Sequence, residues 1–101
     1  CVADFLGRCF ALETYVAAIC AGPTVLSRLG LIDGKKAVCY PTCTDLLPPA
    51  VYQPGKTVVQ DGKLLTGEAA GSAFDLGLAM LKVLKGTKTA DEVRTSVCYR
   101  G

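Results

Sequence analysis

The sequence predicts an α/β fold, and three observations carry that expectation. Helix-periodic apolar segments alternate with short unbroken apolar runs, a strand–helix–strand unit lies near the centre, and Gly or Pro marks most junctions. Val2, Phe5, Leu6, Cys9 and Phe10 recur at helical spacing and predict an amphipathic helix over residues 3–13. Tyr15-Val16-Ala17-Ala18-Ile19 is a continuous apolar run, the pattern of a strand buried on both faces. Cys20-Ala21-Gly22 then makes a turn. Pro23 suits the first position of the next helix, where its missing N–H costs nothing, and that helix carries Val25, Leu26 and Leu29 to a stop at Gly30.

Ala37-Val38-Cys39-Tyr40 predicts a second strand, closed by Pro41. Residues 42–55 hold Pro48, Pro49 and Pro54 and read as an irregular loop. Residues 57–60 and 63–66 flank Asp61-Gly62, a pair that favours positive φ and predicts a hairpin turn. After a small-residue loop over 67–71, Ser72 and Asp75 predict a capped helix start. Phe74, Leu78, Leu81 and Leu84 form its expected buried stripe, Lys82 and Lys85 suit its C-terminal dipole, and Gly86 ends it. Thr89 and Glu92 predict a second capping box, opening a short terminal helix through Val93. Two parallel strands fall short of the roughly five or six of a doubly wound sheet. The residues therefore fit either a portion of a larger α/β sheet or a small complete α+β domain with one exposed face.

Composition narrows the function classes. Half of the 101 residues are hydrophobic and the net charge is only +2, which excludes disorder. The apolar run near residues 16–26 is short and broken by Gly22-Pro23, so no membrane span is expected. Basic residues are scattered from Arg8 to Arg100, leaving no footprint for nucleic acid or an anionic membrane. The absence of histidine excludes any Ser-His, Cys-His or His-metal mechanism built from this chain alone. Residues from Cys1 onward lack a basic n-region, so no signal peptide is expected. So much apolar content on so few residues suggests that another chain covers part of it.

Six cysteines, Cys1, Cys9, Cys20, Cys39, Cys43 and Cys98, could in number build a disulfide framework. Such frameworks serve loop-rich chains with thin cores, whereas these segments are long and apolar. Cys39 and Cys43 have a spacing compatible with zinc, but no histidine or second tight pair closes a tetrahedral site. The expectation is no metal, and buried, reduced, inert thiols for most of the six. Cys20 is placed differently. It stands at a sharp strand-to-helix turn, where the two backbones pass so closely that residues two positions either side must be small, as Ala18 and Gly22 are. At the start of a helix the thiol would face free N–H groups and a positive dipole end, which favour thiolate. The Ala21 N–H would be available as an oxyanion donor. Read from residues alone, Cys20 is either a nucleophile at an elbow or a buried cysteine beside a tight turn.

The longer string Ala17-Ala18-Ile19-Cys20-Ala21-Gly22-Pro23-Thr24-Val25-Leu26 resembles the nucleophile motif of the ThiJ/PfpI superfamily. Residues 34–41, residues 59–66 and the helix start Gly71-Ser72-Ala73-Phe74-Asp75 agree with it in order. The resemblance implies a flavodoxin-like, class I glutamine amidotransferase-like three-layer α/β sandwich. Residues 1–101 would supply its C-terminal portion, and the N-terminal portion is absent from this chain. It further implies a cytoplasmic, cofactor-independent protein that forms a homodimer of the whole domain. Cys20 would be the reactive thiol, with Ala21, Gly22 and Tyr40 lining its pocket. A glutamate bonded to the thiol and a second pocket N–H would come from a complementary N-terminal fragment or chain.

The activity so implied is that of a glyoxalase or deglycase acting on small α-oxoaldehydes such as methylglyoxal. The alternative is a redox sensor or chaperone whose Cys20 becomes a sulfinic acid. A cysteine peptidase is a third reading, disfavoured because Ala21 stands where the peptidase branch carries histidine. Tyr40 replaces a histidine found before the proline in some members, and is either a substrate contact or a solvent-facing tyrosine. Glu68 stands where the family pattern has a basic residue.

Overall fold

The computed structural model describes residues 2–49 and 51–99. Cys1 and Arg100, counted in the sequence arguments above, lie outside them. Helix α1 spans Val2–Ala11, strand β1 Val16–Ile19 and helix α2 Gly22–Arg28. A 3₁₀ segment over Pro41–Leu46 follows, then β2 (Val58–Asp61), β3 (Leu64–Gly67), a 3₁₀ turn over Ala70–Ser72, α3 (Ala73–Lys85) and α4 (Thr87–Ser96). The sheet is three-stranded with order β1-β3-β2. β1 runs parallel to β3, pairing Ile19 with Gly67, while β2 and β3 form an antiparallel hairpin.

The expected second strand at residues 37–40 is not one. Its backbone is buried and bonded, but to scattered partners rather than a ladder. Ala37 makes a single parallel bridge to Tyr52, the Val38 N–H donates to the Thr66 hydroxyl at 3.0 Å, and the Tyr40 N–H donates to the Cys20 carbonyl at 2.8 Å. The parallel neighbour of β1 is therefore β3. β1 itself stands at a sheet edge with Ala17 exposed, which corrects the expectation of burial on both faces. Just ahead of the expected loop, Pro41 starts a 3₁₀ segment that runs into it, its fixed φ serving as it would at a helix N1 position.

The hairpin forms one residue later than its sequence suggests. Asp61 pairs with Leu64, so Gly62 and Lys63 make the turn, with Gly62 at φ +61°. Asp61 stays in the strand and its carboxylate accepts the Lys36 N–H at 2.8 Å. Neither capping box is realised. The Ser72 hydroxyl turns back to Ala69, accepting its N–H at 3.1 Å and donating to its carbonyl at 2.8 Å. Asp75 instead accepts the Tyr99 hydroxyl at 2.7 Å, and α4 starts from Gly86, which places Thr89 inside the helix.

The main core lies beneath α2, where Leu26, Ile32, Ala37, Cys39, Leu47, Val51 and Leu64 are buried together with Leu6 and Phe10 of α1 packed against them. On the other face of the sheet α3 contributes Leu76 and Leu78. Of the stripe expected on α3, only Leu78 is buried; Phe74 and Leu84 are 51% and 63% exposed, because the sheet takes the Leu76 side of the helix. Phe74 stacks on Tyr99 with ring centroids 4.8 Å apart. Val2 and Phe5 of α1, and Leu12 just past its end, remain exposed. Among the described residues no helix is long and apolar enough to cross a membrane.

Gly67 sits where sheet and α3 meet, and a Cβ there would lie 3.2 Å from both Ile19 Cγ1 and Leu76 Cδ2. Gly67→Val is therefore expected to cost about 1–3 kcal/mol through overpacking, read as a lower urea midpoint at unchanged slope.

Candidate functional site

Cys20 follows the last residue of β1 at φ +62°, a conformation that non-glycine residues seldom adopt and that surrounding structure must hold in place. Two hydrogen bonds do so. The Cys20 N–H donates to the Gly67 carbonyl at 3.1 Å, extending the β1–β3 pairing, and the Cys20 carbonyl accepts the Tyr40 N–H at 2.8 Å. α2 starts two residues later, with Ala21 at its N-cap and Pro in its first turn. A Cβ on Gly22 would stand 3.3 Å from Ala18 Cβ, so strand and helix approach closely enough to require small residues at both positions. The Ala21 carbonyl accepts both the Thr24 N–H and the Thr24 hydroxyl, which fixes the first turn. The amides at Ala21 and Gly22 precede the first intrahelical acceptors.

Ala21, Gly22 and Tyr40 thus lie on the segments adjoining Cys20. Tyr40 joins it through the backbone, with its side chain 41% exposed. Cys20 is half-buried, whereas Cys39 is fully buried. The Cys39 thiol donates to the Tyr40 carbonyl at 3.5 Å, and the same carbonyl accepts the Cys43 N–H at 2.8 Å. Burial pushes the Cys39 thiol above its ordinary value of 9.0, and the charges of Cys43, Asp45, Cys20 and Glu68 push it the same way.

Reading the sequence identified the turn but not that Gly67-Glu68 and the Cys39-Tyr40 segment adjoin it through the Cys20 backbone. One signal was available: Glu68 directly follows a strand that runs parallel to β1, and equivalent ends of parallel strands lie side by side. The five cysteines within the described residues are free thiols. Cys39 alone among them is fully buried; Cys9, Cys20 and Cys43 are half-buried and Cys98 is exposed, which corrects the expectation that most would be buried. Among the described residues no group of three or more Cys, Asp or Glu could hold a metal ion.

A parallel strand entering a crowded turn, a cysteine at positive φ in that turn and a helix leaving it define a strand–elbow–helix protein of the α/β class. Residues 1–83 match the DJ-1/PfpI family, and the chain belongs to it. It is 39% identical over 79 residues to protein dj-1beta of Drosophila melanogaster, a match covering 77% of this chain and 42% of that protein. The crystal structure of Drosophila DJ-1beta superimposes with a TM-score of 0.92 at 34% identity, over 99% of this chain and 54% of that one. The flavodoxin-like α/β architecture follows. Isonitrile hydratase of Pseudomonas putida is 36% identical over 95% of this chain and 42% of its own length. Glutathione-independent glyoxalase DJR-1.2 of Caenorhabditis elegans is 29% identical over 82% of this chain and 45% of its own length. The chain spans about half the length of these relatives.

The thiols should separate by reactivity. In the folded chain at pH 8, iodoacetamide followed by peptide mass spectrometry should label Cys20 well before Cys39. Burial excludes the reagent from Cys39, and a raised thiol pKa leaves it less thiolate at any pH below that value. Denaturation should abolish the difference.

Proposed function

We propose that this chain is the C-terminal portion of a DJ-1/PfpI-type domain whose Cys20 is the reactive thiol of a cofactor-independent glyoxalase or deglycase acting on α-oxoaldehydes. The observation that carries the reading is the Cys20 turn itself. A positive φ is retained at a non-glycine residue between β1 and α2, at a half-buried cysteine. Strain of this kind clusters at functional sites, where it aims a side chain. The relationship to a glyoxalase of the same family supports the choice of substrate class.

In the reaction, Cys20 sulfur adds to the aldehyde carbon of methylglyoxal and forms a hemithioacetal, with the Ala21 N–H stabilising the oxyanion. A carboxyl group removes the proton from that carbon and returns it to the adjacent carbon, converting the adduct into a thioester of lactate. Water hydrolyses the thioester, releasing lactate and restoring the thiol. Tyr40 and Gly22 line the pocket.

The carboxyl group and a second pocket N–H belong to the complementary N-terminal portion, and the whole domain forms a homodimer. Two features support an absent covering segment. β1 has a neighbour on one side only among the described residues, and Val2 and Phe5 of α1, with Leu12 just past its end, are 67–75% exposed. A parallel edge strand with an uncovered apolar helix beside it is the state of a sheet cut through its middle.

The test is methylglyoxal consumption and lactate formation by this chain together with a polypeptide carrying the N-terminal portion. Cys20→Ser should lower turnover by at least about a thousandfold, as loss of a covalent nucleophile does. Unchanged turnover in that variant sinks the reading. A native mass spectrum should further show a companion polypeptide of similar size bound to the chain.

A further inference from the structure

Cys39 and Cys43 meet at one atom. Tyr40 is extended, at φ −58° and ψ 138°, and Pro41 then starts the 3₁₀ segment, so the chain turns back sharply over residues 40–43. The Cys39 sulfur reaches the Tyr40 carbonyl oxygen at 3.5 Å, and the Cys43 N–H closes the turn on that same oxygen at 2.8 Å. The two side chains also share one apolar environment, since Cys39 belongs to the main core and Cys43 packs against it. Their exposures differ: Cys39 is fully buried and Cys43 half-buried. The proposed reaction at Cys20 uses neither sulfur.

We propose that Cys39 and Cys43 are an oxidative modification site, a dithiol that hydrogen peroxide converts into a disulfide across Pro41. The order of events follows from exposure. Cys43 is the sulfur that a small oxidant reaches. Its thiolate attacks a peroxide oxygen, the O–O bond breaks, hydroxide leaves and is protonated to water, and Cys43 becomes a sulfenic acid. The Cys39 sulfur then attacks the Cys43 sulfur, the S–O bond breaks, and the Cys39 proton departs with the oxygen as a second water. The two thiols give up one electron each and the peroxide takes both. Burial, with negative charge around it, holds the Cys39 thiol above its ordinary value and shields it from reagents in solution, which leaves the partner already beside it as its target. The turn tolerates the bridge. The Tyr40 carbonyl loses the Cys39 thiol as a donor but keeps the Cys43 N–H. Because residues 39–43 bracket Tyr40, whose N–H holds the Cys20 carbonyl, the bridge would fix the segment that fastens the Cys20 turn. The site stands apart from any reactivity of Cys20 itself.

The test reads the bridge directly. Trypsin releases residues 37–56 as one peptide that holds both cysteines and no internal Lys or Arg. The folded chain is treated with hydrogen peroxide, quenched, denatured, alkylated with N-ethylmaleimide and digested. Peptide 37–56 should then carry no maleimide and weigh two hydrogens less than its dithiol form, and dithiothreitol before alkylation should restore two maleimides. In glutathione redox buffers the effective concentration of the pair should be at least about tenfold higher in the folded chain than in the same chain unfolded in guanidinium, because the fold holds the two residues together. Cys43→Ser should leave Cys39 reduced under the peroxide treatment that bridges the parent; the two measurements on the parent stand even where this variant fails to fold. Four results overturn the inference: two maleimides retained on peptide 37–56, a bridge from it to the Cys20 peptide 9–28 instead, oxygen added to Cys43 with no closure, or an effective concentration no higher than in the unfolded chain. Oxidation of Cys39 in Cys43→Ser at the parental rate overturns it as well.

Discussion

The structure depends on a strained turn at Cys20 that is fastened from two sides. One hydrogen bond ties its N–H to the end of β3, and another ties its carbonyl to Tyr40, in a segment running between the main core and the 3₁₀ turn. A residue at φ +62° without a glycine's freedom holds that conformation only while both attachments persist. The steric closeness of Ala18 and Gly22 is part of the same constraint, since helix α2 cannot leave the strand at this angle with larger residues there. Core packing supplies the rest: Leu26 fixes α2 over the core, and Cys39 and Leu64 anchor the two segments that grip the turn.

The arrangement separates thiols by position. Cys39 and Cys43 share the Tyr40 carbonyl as an acceptor, one through its sulfur and the other through its backbone. Cys39 belongs to the core and is held protonated by burial and by its acidic surroundings. Cys20, whose carbonyl accepts the N–H of the residue after Cys39, is half-buried at the end of the sheet. Cysteines of one small chain therefore occupy different chemical environments, and proximity alone does not make them equivalent.

Much of this was legible in the sequence. The strand, the tight turn at Cys20 and the helix after Pro23 were read with their small flanking residues, because steric crowding at a turn leaves a local signature. The hairpin and α3 were likewise marked by local Gly and periodicity. What escaped was set by tertiary competition. Val38 was expected in a strand over residues 37–40 closed by Pro41, but its N–H goes to the Thr66 side chain, a partner that no local pattern announces. Ser72 was expected to cap α3, and its hydroxyl serves Ala69 instead. Phe74, Leu78, Leu81 and Leu84 were expected to form the buried stripe of α3; the sheet takes the side of Leu76, packed against Gly67, and of the stripe buries only Leu78. Glu68 adjoins the turn through the parallel pairing of β1 with β3, which brings it from far along the chain, and its place directly after a strand was the one local sign of it.

That last pairing has a consequence for how the molecule comes into being. A growing polypeptide emerges N-terminus first, and β1 leads β3, the strand it pairs with, by more than forty residues. The carbonyl that fastens Cys20 belongs to Gly67, so the bend cannot close until the β2–β3 hairpin has left the ribosome and folded. Non-local parallel contacts of this sort are slow to form because loop closure comes before any gain in bonding. The bend is consequently a late product of folding, assembled from segments far apart in sequence, and no fragment that stops short of the hairpin contains it.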